Sequence, residues 1–136
     1  MPRVRIHPRD PDTAWAAVLG HLYGPHPTRG VYKTTDGGAT WEQKLFVSDE
    51  VGCGDLALDP ANPRVLFATF WRVRRTPYSL SSGGEGSSIW KSVDGGETWN
   101  DITANDGLPE GPIGIAGVSV SGADPDVVYA IVEASE

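Results

Sequence analysis

Two copies of one eight-residue pattern constrain this chain more than anything else in it. They are Thr34-Thr35-Asp36-Gly37-Gly38-Ala39-Thr40-Trp41 and Ser92-Val93-Asp94-Gly95-Gly96-Glu97-Thr98-Trp99, 58 residues apart. Both read [Ser/Thr]-x-Asp-Gly-Gly-x-Thr-Trp. Each follows a short strand-like run ending in Lys, Val31-Tyr32-Lys33 and Ile89-Trp90-Lys91. An Asp that opens a turn accepts hydrogen bonds from N–H groups just ahead of it. Paired glycines permit the positive φ of a narrow turn. Thr and Trp then begin a return strand, where the indole can bury a large apolar area. The octets read as self-capping hairpins. Thr34, Asp36, Gly38, Thr40 and Trp41, with Ser92, Asp94, Gly96, Thr98 and Trp99, are expected to be structural.

A second repeat supports the first. Val4–Ala16, Leu56–Ala68 and Val118–Ala130 share an apolar-x-apolar start, a polar turn, an [Asn/Asp]-Pro step or its equivalent, and a strand ending in Ala. Repeats of this length indicate a solenoid, propeller or array. The expected strands are 3–7, 13–19, 30–34 and 41–46, then 54–59, 65–71, 88–92 and 99–103, then 114–121 and 127–133. Four short strands per unit match a propeller blade. The expected fold is therefore all-β, a β-propeller segment of four-stranded antiparallel blades. About two and a half blades are present: 3–46, 54–103 and half a blade at 114–133. A closed ring needs roughly 4–8 blades, so further blades from a parent chain, or self-assembly, are expected to complete it.

Composition narrows the function. With 17 Gly and 11 Pro among 136 residues, turns are frequent, and no window carries a helical apolar stripe. The net charge of −7 argues against nucleic acid as a partner. No apolar run is long enough for a membrane span. The N-terminal residues hold no apolar signal core, so the chain is either made and kept in the cytoplasm or a piece of something longer. Cys53 is the only cysteine, which excludes an internal disulfide and reads as a packed core thiol. No metal site and no cofactor are expected.

The octets resemble the Asp-box, or BNR repeat, shared by bacterial sialidases, some endoglucanases and sortilin/VPS10 propellers. Two further stretches resemble large bacterial sortilin-like propeller proteins: Gly20–Pro25 followed by Arg29–Gly38, and Trp71–Tyr78 followed by Ser82–Ser87. This resemblance implies a non-catalytic scaffold that binds protein or peptide, in a secreted or periplasmic setting. The alternative it implies is part of a glycoside hydrolase, sialidase- or endoglucanase-like, acting on glycans.

Ligands are expected at the loops 20–29, 47–54, 72–87 and 104–113. The segment 72–87 is the most unusual. Its Arg72, Arg74, Arg75 and Tyr78 suit bidentate recognition of a carboxylate or phosphate, unless they only neutralise nearby acids. His21 and Tyr23 mark the first loop; His21 and His26 lie five apart, a weak metal signal best read as solvated loop histidines. Glycosidase chemistry needs two carboxylates across a cleft, and Asp49, Glu50, Asp55, Asp106 and Glu110 lie in or near the candidate loops. No catalytic residue stands out among them, and an enzymatic role is the less favoured reading.

Overall fold

The computed structural model describes residues 3–134. Among the described residues eleven strands account for the regular structure: β1 (Arg3–His7), β2 (Asp10–Val18), β3 (Gly30–Thr34), β4 (Glu42–Leu45), β5 (Val51–Leu58), β6 (Leu66–Arg75), β7 (Leu80–Ser82), β8 (Ser88–Ser92), β9 (Asn100–Asp101), β10 (Ile113–Val120) and β11 (Val128–Ala134). All pairings are antiparallel. The first sheet has the order β1-β2-β3-β4. The second runs β5-β6-β8-β9 with β7 added to the far end of β6, and the third is the pair β10-β11.

This architecture corrects the propeller expectation. Among the described residues the fold is all-β, with 11 strands in three open sheets, none of them closed. The middle sheet has five strands rather than four, because β6 continues to Arg75 and carries β7 on its extension. The segment 72–87, expected as a loop, is thus largely a hairpin. The run Leu66-Phe67-Ala68-Thr69-Phe70-Trp71 is rich in aromatic and β-branched residues. These favour a pleated surface and let the strand run on.

The middle sheet is a shared layer. Side chains alternate along a strand, and β6 uses both faces. Leu66, Ala68 and Phe70 join Trp15, Ala17, Val31, Val51, Cys53 and Leu56 in one core against the first sheet. Phe67, with Ala57 and Ile89, meets Ile113, Ala116 and Val118 in a second core against β10. Thr69, also turned that way, satisfies its buried hydroxyl by donating to the Ala116 carbonyl at 2.8 Å. Cys53 is fully buried, and burial pushes its thiol pKa strongly up, so it packs rather than reacts.

Candidate functional site

The octet turns are built alike. In the first, Thr40 donates its amide and hydroxyl to the two Asp36 carboxylate oxygens at 2.9 and 2.6 Å, and Thr34 Oγ1 donates to Asp36 Oδ1 at 2.8 Å. Gly38 N–H donates to Thr34 Oγ1, and Trp41 Nε1 to the Gly38 carbonyl. The second turn repeats the scheme with Ser92, Asp94, Gly96, Thr98 and Trp99. Gly37, Gly38, Gly95 and Gly96 all take positive φ, between 72° and 92°. The Thr40 hydroxyl and amide, with Thr34, hold the Asp36 carboxyl at a pKa of about 2. Asp94 is lowered for the same reasons, Thr98 first. Each carboxylate is spoken for by its own turn. The second turn also clasps the first sheet: Trp15 Nε1 donates to the Gly95 carbonyl at 2.9 Å, and Glu97 pairs with Lys33 at 2.7 Å and Lys44 at 2.8 Å.

The arginine-bearing hairpin closes over a cavity of about 150 Å³, lined by Gly24, Pro25, Arg29, Glu50, Arg72, Val73, Arg74 and Ser81. Backbone bonds gather its walls. Arg75 N–H donates to the Leu22 carbonyl, and His26 N–H to the Asp49 carbonyl. Arg72 Nη2 pairs with Glu50 Oε2 at 2.6 Å. Of the residues singled out from the sequence, Arg72 and Arg74 line this cavity. Arg75 sits one step further along β6, opposite Leu80. Tyr78 is 96% exposed at the hairpin tip, and Tyr23 is 69% exposed on the facing loop. The His21 and His26 rings stack edge-on at 5.0 Å, and His26 Nδ1 is bonded to Thr28 Oγ1. Among the described residues no group of His, Cys, Asp or Glu is arranged to hold a metal.

A larger cleft, about 540 Å³, opens between β5 and the β10–β11 pair. Ile115, Ala116, Ile131 and Val132 form an aliphatic wall, and Arg3, Asp55 and Glu133 supply the charge. Asp55 lies beside a register shift in β5. Its Oδ1 accepts from Arg3 Nε at 3.0 Å and from Leu56 N–H, and its Oδ2 from Val118 N–H at 3.1 Å. Glu133 Oε2 accepts from Ser82 Oγ at 2.6 Å and Ile115 N–H at 3.0 Å. Ser82, then Ile115, hold the Glu133 carboxyl below its ordinary range. Ile115 falls where the β10 register slips between Ile113 and Ala116. A bulge leaves such an amide unpaired, and here the carboxylate takes it.

In the sequence Asp55 is one loop acid among several, and no local pattern marks Arg3, Arg29 or Glu133. Arg29 is 1% exposed, yet an Arg behind Pro27-Thr28 in a polar loop gives no sign of burial. Glu133 lies near the end of a strand whose partner register depends on a bulge, which alternation alone does not reveal.

No protein-family model matches the chain. Over 109 residues it is 28% identical to a xyloglucanase of Hypocrea jecorina (strain QM6a), covering 74% of this chain and 12% of that protein. Among solved structures it is similar to the GH74 enzyme of Niastella koreensis, with a TM-score of 0.61 and 22% identity over 92% of this chain and 17% of that one. It is also similar to an ancestral GH74 enzyme, with a TM-score of 0.59 and 15% identity over 94% of this chain and 15% of that one. The chain therefore spans less than a fifth of the length of each of these relatives. These likenesses correct the expected family. The similarity lies with GH74-type glycoside hydrolases, not with Asp-box propellers of the sortilin/VPS10 kind. They also overturn the preference for a non-catalytic scaffold, since the proteins it resembles are enzymes.

Proposed function

We propose that the chain is a segment of a GH74-like glycoside hydrolase that binds xyloglucan along the cleft between β5 and the β10–β11 pair. The observation that carries this reading is the pair Asp55 and Glu133 in one aliphatic-walled cleft. Likeness to a xyloglucanase supports the substrate class. The amides these carboxylates accept from, Val118 and Ile115, lie three residues apart on β10. At the usual rise that is roughly 10 Å.

The charge state assigns the roles. Glu133 is ionised at neutral pH because two donors hold it, so it can accept a proton or a sugar hydroxyl but cannot protonate a leaving group. Arg3 and the amides likewise occupy Asp55 as an acceptor of hydrogen bonds. Glu133, held below its ordinary range, is therefore not the general acid. On this reading the segment supplies binding and base-side groups, and the acid comes from elsewhere in a longer protein.

Electrophoresis of the purified chain in native gels containing xyloglucan tests this. Retardation is expected, with about tenfold weaker binding for Glu133→Gln and no reducing ends released. Mobility unchanged by xyloglucan in a chain that melts cooperatively would overturn the reading.

A further inference from the structure

The arginine cavity lies apart from that cleft and asks for a different ligand. Three guanidinium groups, from Arg29, Arg72 and Arg74, line it against the single carboxylate of Glu50, in a chain whose net charge is −7. Arg29 is the unusual member. Buried to 1% exposure, it forms no ion pair within the described residues. Its Nη atoms donate to the carbonyls of Glu50, His21 and Gly24 at 3.1, 2.8 and 3.0 Å. Its Nε is buried with no hydrogen-bond partner. Its stem is fixed against Gly20, where an added Cβ would come within 2.8 Å of Arg29 Cγ. A buried cation held only by carbonyls is costly to keep unless a counter-charge is brought to it.

The Asp49 and Glu50 carboxylates lie near enough to favour the Arg29 charge, but neither pairs with it. Glu50 pairs with Arg72, and both side chains are more than a third exposed, at 45% and 39%. Such a pair is weak and easily exchanged. Arg74 has no acidic partner among the described residues. Two exposed rings stand on the segments that form its walls: Tyr23 lies next to Leu22, whose carbonyl is bonded to Arg75, and Tyr78 lies in the turn between β6 and β7. Amphipathic rings of this kind stack on sugar faces while their hydroxyls stay wet.

We infer that this cavity binds the carboxylate of an acidic saccharide, with Arg72 and Arg74 as its direct partners, Glu50 as the internal group it displaces, and Tyr23 and Tyr78 as the platform for the sugar ring. Arg29 supplies the fixed positive field from beneath. A volume of about 150 Å³ is below the roughly 300–1,000 Å³ of a site that takes a drug-sized ligand. It admits a carboxylate and part of a ring, not a whole oligosaccharide.

The test is a titration of the chain with glucuronate, glucose and inorganic sulfate, followed through the arginine Nε–Hε NMR signals. Saturable shifts with glucuronate and none with glucose are expected. Glu50→Gln, which removes the competing charge, should tighten glucuronate about fivefold. Arg74→Ala, an exposed change that leaves the fold intact, should weaken it about tenfold. Equal response to glucose, sulfate binding without glucuronate binding, or glucuronate binding indifferent to both substitutions would each overturn the inference. Because glucuronate is not a component of the xyloglucan gel assay, failure here leaves the cleft reading standing, and the reverse also holds.

Discussion

Asp36 shows how much of this molecule is decided within a few bonds of one atom. Its carboxylate takes the Thr40 hydroxyl and amide and the Thr34 hydroxyl, and its pKa falls to about 2 from an ordinary 3.8. A depressed carboxyl contributes stability that is complete above the unfolded value and disappears as pH falls through the folded one. Urea unfolding should therefore lose midpoint between about pH 4 and pH 2. Asp36→Asn should start lower and fall less steeply across that window, as followed by tryptophan fluorescence. Trp15 offers a second residue-scale test. Trp15→Phe keeps most of the buried ring but leaves the Gly95 carbonyl without its indole donor. The expected loss is about 1–2 kcal/mol, read from the urea midpoint.

At the scale of elements, β6 is the strand on which the rest depends. It pairs with β5, β7 and β8 and puts side chains into both cores. Phe70, fully buried between sheets, should cost about 3–5 kcal/mol when cut to Ala, measured by chemical denaturation. The octet turns were legible in the sequence because their chemistry is local: Asp, two glycines and Thr satisfy one another without help from afar. The extent of β6 was not. Val73-Arg74-Arg75 reads as a charged loop because charges are depleted from strands, yet here pairing with Leu80–Ser82 and a bond to Leu22 override that preference. The same gap hid both sites. Arg29 is buried by carbonyls from residues 21, 24 and 50, and Glu133 finds a free Ile115 amide only because β10 slips its register. Contacts made across the chain leave no mark in local spacing.

For the whole molecule, the sheets hold one another rather than standing alone. The first sheet buries Trp15, Ala17 and Val31 only against the second, and Glu97 bridges the two through Lys33 and Lys44. A peptide of residues 1–46 should accordingly be unfolded by circular dichroism, since a small sheet with one bare apolar face is marginal in water. The bond from Trp15 to Gly95 spans 80 positions of sequence, and that separation sets a clock on biosynthesis. At about 5–20 residues per second, Trp15 would leave the ribosome some 4–16 seconds before the carbonyl that its indole binds. During that interval the largest buried side chain of the first sheet faces water, and a chaperone that recognises exposed indole has its window on the nascent chain.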